Sequence, residues 1–276
     1  MYSSETSCFQ VSSSQAWYYD YRHLNEGKLW RVKSSKDDFT ASLTYFKVKC
    51  LGSGISGVVC LYQPEQMGTC KAIKFSNGNH HPVKSEYEIS LKWPKGETGL
   101  LLRPKAYFRE PFRDFYIMHR YTSNIVNNIS LFTISEKIES IYQLCQGVTT
   151  LHNLGIAHRD IHLANVFYDR DKNRFDLGDF GRAITLETNK EKFDLGVSKD
   201  IQNLKEAIES ILIGEEVEPF ARIIDGYRQR LNTLEDILKL GFSLKSSWLI
   251  LDFMHRTPRN TQEILGDFTK IKERLN

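Results

Sequence analysis

The run from Leu151 to Ala183, LHNLGIAHRDIHLANVFYDRDKNRFDLGDFGRA, holds the residues of this chain best suited to chemistry. It contains His158-Arg159-Asp160, an asparagine five residues on at Asn165, and Asp179-Phe180-Gly181, with Asp179 19 residues after Asp160. The chemistry these types suggest is phosphoryl transfer. A protein has little covalent work to do in that reaction and acts by positioning and charge stabilisation. A further titratable residue lies close by: His162, two after Asp160.

A second cluster lies upstream. Gly52, Gly54, Gly57 and Val59 follow a Gly-x-Gly-x-x-Gly-x-Val spacing. Taken alone the spacing also suits a simple hairpin turn. Its surroundings, LTYFKVKCLGSGISGVVCLY, predict two strands rich in β-branched and aromatic residues around a glycine turn. That favours a β-hairpin lid over phosphates rather than a strand-to-helix dinucleotide fingerprint. No Gly-x-x-x-x-Gly-Lys-Ser/Thr occurs. Ala72-Ile73-Lys74 lies on the next expected strand, with Lys74 15 residues after Val59. A buried lysine requires a carboxylate, since an unpaired buried charge costs about 3–5 kcal/mol. The following helix offers Glu86 and Glu88. Glu88 is preferred, because Ile89 and Leu91 stand beside it for packing.

The elements that must position these groups fall in two parts. Up to about residue 121 the text reads as strands with one helix, VKSEYEISLKW, whose apolar stripe is Val83, Tyr87 and Leu91 and which stops at Pro94. The later part is helical. The run TISEKIESIYQLCQGVTTLHNLG places Ile138, Ile141, Tyr142, Cys145, Val148 and Leu151 on one face, with Ser135 as the expected N-cap and Gly155 past the end. KDIQNLKEAIESILIG repeats the pattern through Ile201, Leu204, Ile208, Ile211 and Leu212 and ends at Gly214. Residues 1–42 read as an N-terminal extension carrying Trp17, Tyr18, Tyr19 and Trp30, expected to pack on the small lobe.

Composition bounds the reading. The chain has 276 residues, 41% apolar, with 37 basic and 34 acidic residues giving a net charge of +3. No basic run stands out, which argues against nucleic acid as a partner. No stretch of apolar residues is long enough to span a membrane, and the N-terminus lacks the basic start and apolar core of a secretory signal. Five cysteines, an odd number with no Cys-x-x-Cys, suit reduced thiols in a cytoplasmic setting. His152 and His158 do not read as a metal pair, and His80-His81 reads as a solvated turn.

Seven ordered positions, from His158 to Gly181, together with the glycine hairpin and Lys74, resemble the eukaryotic-type protein kinase superfamily. The resemblance covers about Leu43 to Phe268. It implies an α+β, bilobal fold: a β-rich N-lobe over 43–121, a helical C-lobe over 122–276, and ATP bound between them. It implies that Asp160 accepts or orients the attacking hydroxyl and that Asn165 and Asp179 are ligands of Mg2+. It further implies that Lys74, oriented by Glu88, holds the phosphates beneath Gly52, Gly54, Gly57 and Val59. Phe115 to Tyr121 resembles the strand entering the adenine hinge, so Ala72 and Met118 are implied nucleotide contacts. Asp200 resembles the aspartate that braces the catalytic loop at the start of a central helix. Pro258, Arg259 and Thr261 resemble the closing segment of protein kinases.

Two departures shape the expectation. His162 replaces the lysine that neutralises the transferred phosphoryl group. A histidine is found there in aminoglycoside-kinase-like enzymes, and it carries charge only when protonated. The second departure is length: Arg182 to Lys199, 18 residues, separates Asp-Phe-Gly from Asp200. Typical protein kinases have a much longer activation segment there, ending in Ala-Pro-Glu. Without that glutamate, Arg259 lacks its usual partner. The enzyme is therefore expected to be active as made, or switched by an activating protein partner. Such compact kinases resemble those that some bacteria deliver into host cytosol. The expected reaction is transfer of the ATP γ-phosphate to serine or threonine of a protein substrate. The alternatives are a small-molecule phosphotransferase of the aminoglycoside or choline type, and a pseudokinase that only binds.

Overall fold

The computed structural model describes residues 6–11, 15–20, 29–34, 42–54, 57–64, 68–76, 82–93, 100–109, 114–215 and 231–275. His80, His81 and Pro94 lie outside them, as do the side chains of Trp17, Tyr18, Tyr19 and Trp30. The chain divides into two units, Met1–Leu91 with Arg103–Arg120, and Lys92–Leu102 with Tyr121–Asn276. The first is mainly sheet and the second mainly helix, an α+β organisation.

The first unit is built on an antiparallel sheet. Its strands are β1 (Thr6–Val11), β2 (Gln15–Asp20), β3 (Leu29–Ser34), β4 (Ser42–Gly54), β5 (Gly57–Pro64), β6 (Lys71–Phe75), β7 (Ala106–Arg109) and β8 (Asp114–Met118), in the order β1-β2-β3-β4-β5-β6-β8-β7. Residues 1–42 thus do more than extend the chain. They contribute three strands that continue the sheet, with Arg31 opposite Thr44 and Leu29 opposite Phe46. Their sequences, TSCFQV, QAWYYD and LWRVKS, do not alternate between apolar and polar residues throughout, so pairing to a neighbour defines them.

The core of this unit comes from β5, β6 and β8, where Leu61, Tyr62, Ile73, Phe75, Phe115 and Met118 are buried. The rings of Phe75 and Phe115 meet at 5.5 Å. Helix α1 (Pro82–Ser90) follows β6 and stacks Tyr87 on Tyr107 of β7, with ring centroids 5.3 Å apart. Its buried positions are Val83, Glu86 and Ser90, whereas Leu91, one of the expected stripe, is exposed.

The second unit is organised around α2 (Ile134–Asn153). Its cap is Thr133 rather than the expected Ser135. The Thr133 hydroxyl accepts from the Glu136 amide at 3.3 Å, and the Glu136 carboxylate accepts from the Thr133 amide at 2.8 Å. This reciprocal box satisfies two amides that a helix start leaves unpaired. The expected face is buried at Ile138, Ile141, Cys145, Val148 and Leu151, joined by Leu144. Tyr142 is only partly buried, and Lys272 covers its ring at 4.1 Å.

Strand β9 (Ser123–Asn124) precedes α2; after α2 come β10 (Ile156–Ala157), β11 (Val166–Asp169), β12 (Arg174–Leu177) and β13 (Ile184–Thr185), then α3 (Lys190–Ile213). Strands β10 and β13 pair, as do β11 and β12. The bundle closes with α4 (Leu234–Lys239), α5 (Leu244–His255) and α6 (Thr261–Glu273). Helix α3 ends at Gly214 in the left-handed conformation, φ 88°, as its sequence predicts.

The start of α3 differs from expectation. Asn189 caps it, accepting from the Lys192 amide at 2.8 Å, so Asp200 lies well inside the helix rather than at its start. The first turns, KEKFDLGVS, are polar and largely exposed, so no apolar stripe announces them.

Candidate functional site

Lys74 is on β6, directly opposite Val59 of β5 on one side and Tyr116 of β8 on the other. Its ammonium donates to Oε1 of Glu86 at 2.7 Å, and the two side chains are 6% and 1% exposed. The Tyr116 hydroxyl donates to the other oxygen, Oε2, also at 2.7 Å. Glu88, the partner preferred from sequence, is corrected by this geometry: it is 58% exposed and pairs with Lys84 one turn back, at 3.5 Å. The reason is helical phase. Val83, Glu86 and Ser90 share the inward face, with spacings of three and four. Tyr116 was not singled out, although its place opposite Lys74 follows from strand register.

The glycine hairpin joins β4 and β5, with Gly52 opposite Val59 and Gly54 opposite Gly57. Gly57 has φ 152°, and a Cβ built there would lie 2.0 Å from the Phe75 carbonyl oxygen. That glycine is required by the close approach of β6. A Cβ at Gly52 meets nothing within 4 Å, so its backbone is open to a ligand. Ala72 and Met118 face each other in register across β6 and β8, both buried.

In the second unit, Asp160, Asn165 and Asp179 lie around β10, β11 and β12, and the backbone between them is held at several points. Asp200, fully buried on α3, accepts from the amides of His158 at 2.7 Å and Arg159 at 2.6 Å. It also pairs with His152 Nε2 at 3.0 Å. Arg159 and Asp179 both have left-handed backbone, φ 67° and 60°, a conformation costing roughly 1–2 kcal/mol for an ordinary residue. The bonds from Asp200 hold Arg159 there.

His158 links two parts of the site. Its Nδ1 accepts from the Asp160 amide at 3.2 Å, so the proton resides on Nε2, which donates to the Gly178 carbonyl at 3.0 Å. Burial lowers the pKa of this ring against the opposing pull of Asp200, Asp160 and Asp179, and the neutral form is the one that can make both bonds. The ring of Phe180 packs between His158 and Trp93, at 5.0 and 4.9 Å.

The carboxylate of Asp160 is flanked by two basic side chains. Arg182 Nη1 donates to Oδ1 at 3.2 Å, and His162 Nε2 lies 3.8 Å from Oδ2. The amide nitrogen of Asn165 donates to the Asp160 carbonyl and faces His162 Nε2, both at 2.9 Å. His162 Nε2 therefore accepts, leaving the proton on Nδ1, which is buried without a hydrogen-bond partner among the described residues. Arg182 was not foreseen as a site residue. Nothing in its spacing singles it out, and only the 3-10 turn Phe180–Arg182 brings it to Asp160.

These residues suit a hard cation. With its NH2 turned to Asp160 and His162, Asn165 is oriented so that its Oδ1 is the end presented elsewhere, and Asp179 adds a carboxylate. Among the described residues no group of three or more His, Cys, Asp or Glu gathers as a metal cage. Mg2+ needs no such cage, since it is held by one or two protein oxygens with phosphates and water completing the octahedron. The segment that follows is short. Between Gly181 and the first residue of α3 lie only Arg182–Asn189, with β13 tied to β10 and Leu186 N donating to Gly155 O at 2.8 Å.

A family model for the protein kinase domain matches residues 45–201. Among curated proteins, the chain is similar to the Rho-associated protein kinase let-502 of Caenorhabditis briggsae. The two are 24% identical over 151 residues, 52% of this chain and 12% of that protein's length. No helix among the described residues is long and apolar enough to cross a membrane.

Proposed function

The chain belongs to the protein kinase domain family, and on that premise we propose that it transfers the γ-phosphate of ATP, with Mg2+, to serine or threonine hydroxyls of a protein substrate. The observation that carries this reading is the catalytic loop. Its backbone is fixed through Asp200 and His158, while the Asp160 carboxylate stays 26% exposed. A rigid loop presenting one accessible carboxylate is what a positioned base needs, and such a base contributes roughly 10²–10⁴-fold.

In this mechanism Asp160 orients the acceptor hydroxyl and takes its proton. Arg182 holds the carboxylate in one rotamer and adds fixed positive charge beside it. Asn165 and Asp179 are the residues that would hold Mg2+, which when bound neutralises charge on the phosphate oxygens. Lys74, held by Glu86, is the residue that would bind the α- and β-phosphates. The open backbone at Gly52 suits close approach to phosphate oxygens.

One observation favours a second reading, a small-molecule acceptor. The eight residues Arg182–Asn189 leave little chain to form a peptide shelf. The two are separated by supplying labelled ATP and Mg2+ with a generic protein substrate beside a panel of hydroxylated small molecules, for the wild type and Asp160→Ala. Label on protein serine or threonine that disappears in Asp160→Ala supports protein phosphorylation. Label confined to a small molecule overturns it, and no transfer at all leaves a binding module.

A further inference from the structure

Cys50 on β4 and Cys60 on β5 are direct partners in the antiparallel ladder, and their sulfurs lie 3.4 Å apart. Directly opposed antiparallel residues have Cα atoms about 4.5–5.5 Å apart, inside the range of about 4.4–6.8 Å that a disulfide spans. The sulfurs need only close by roughly 1.4 Å to reach bonding distance. Side-chain rotation supplies that movement without shifting either strand. Cys50 is exposed and Cys60 is 1% exposed, so an oxidant reaches one sulfur while the other waits behind it. Cys145 offers a contrast: it is fully buried on α2, and burial pushes its thiol pKa far up, which keeps it unreactive.

From this arrangement we propose that Cys50 and Cys60 form a reversible thiol–disulfide modification site, oxidised by hydrogen peroxide and reopened by a dithiol. The Cys50 thiolate attacks one peroxide oxygen, the O–O bond breaks, and hydroxide leaves to become water, giving a sulfenic acid on Cys50. The Cys60 sulfur then attacks the Cys50 sulfur. The S–S bond forms, the S–O bond breaks, and the Cys60 proton departs with the hydroxyl as a second water. The two sulfurs lose two electrons, which reduce one peroxide. A dithiol reverses the bond by two exchanges and is itself oxidised to a disulfide.

The place of the bond gives it a consequence. The ladder is irregular between Cys50 and Gly52, and the rungs above, Gly52 with Val59 and Gly54 with Gly57, form the glycine hairpin. Cys60 also pairs with Ile73, one rung from Lys74. A covalent bond here pins the hairpin at its base. Its effect on phosphate handling rests on the kinase reading above, whereas formation of the bond does not.

The test needs no ATP. The reduced protein, residues 1–276, is treated with hydrogen peroxide, blocked with an alkylating agent and mapped by mass spectrometry without reduction. Backbone hydrogen exchange is followed in parallel. The expected result is a Cys50–Cys60 linked peptide that dithiothreitol removes, with exchange across residues 50–60 at least severalfold slower in the linked form. Cys50→Ser, a change at an exposed position that leaves the fold intact, gives neither effect. Cys60→Ala gives no link and leaves Cys50 to oxidise further to the sulfinic acid. Sulfinic acid on wild-type Cys50 with no link, a link to another cysteine, or unchanged exchange in the linked protein overturns the proposal.

Discussion

Arg182 Nη1 lies 3.2 Å from Oδ1 of Asp160, joining the residue just after Asp-Phe-Gly to the carboxylate expected to act as base. Arg182 is 59% exposed, and a pair so open to water contributes at most about 1 kcal/mol to stability. Its value is in fixing the rotamer of Asp160 and in placing a permanent charge beside it. Arg182→Ala is therefore expected to lower kcat about tenfold, corresponding to about 1.4 kcal/mol of transition-state stabilisation. KM for ATP and Tm should be unchanged, and Arg182→Lys should recover part of the rate. Steady-state kinetics with thermal unfolding checks this; an unaltered kcat in Arg182→Ala would show the contact to be incidental.

Lys74 and Glu86 make the opposite kind of pair, shut away from water with Tyr116 closing the second carboxylate oxygen. Breaking it leaves a buried charge without its partner. Glu86→Gln is expected to cost about 3–5 kcal/mol in unfolding free energy and to abolish measurable transfer. Glu88→Gln, at an exposed position, should stay within about 0.5 kcal/mol of wild type and keep its activity. Urea unfolding of the two variants separates them, and equal losses in both would return Glu88 to the site.

These two pairs also show where the sequence was legible. The family resemblance rested on Asp160, Asn165, Asp179 and Lys74, whose types and spacings are strict. The choice between Glu86 and Glu88 needed the phase of α1, and the stripe Val83, Tyr87, Leu91 misjudged it because Leu91 is exposed. Glu86 itself occupies a core position that a sequence pattern assigns to an apolar residue. Arg182 was illegible for a different reason: the 3-10 turn Phe180–Arg182 brings it to Asp160, and no periodicity encodes that turn. The strands β1 to β3 and the polar start of α3 were missed because each is defined by what it pairs with or by its cap, not by a buried stripe of its own.

The hairpin glycines are expected to separate by experiment. Gly57 combines φ 152° with the Phe75 carbonyl oxygen 2.0 Å from any Cβ. Gly57→Ala must move β5 away from β6, at about 2–4 kcal/mol. Gly52 has open space around it, so Gly52→Ala should leave Tm nearly unchanged while raising KM for ATP, by crowding the backbone that would approach the phosphates. A Gly52→Ala protein that unfolds early but binds ATP normally would contradict the division of roles.

His158 should make stability depend on pH in a defined direction. Burial holds its folded pKa below the ordinary value, against the attraction of Asp200, Asp160 and Asp179. The unfolded chain takes up a proton near about pH 6.5, while the folded ring refuses it, because protonation of Nδ1 would break the bond from the Asp160 amide. The folded state thus binds fewer protons in that window, and its stability rises with pH. The contribution of His158 is fully present above about pH 6.5 and is lost as pH falls through the folded pKa. Replacing it by asparagine should lower stability at neutral pH and flatten the loss between about pH 6.5 and 5, by up to one proton's worth, about 1.4 kcal/mol per pH unit. The comparison is between urea-unfolding slopes of the two proteins over that range, so that every other group common to both cancels. Parallel slopes would mean that His158 holds the loop together in either protonation state.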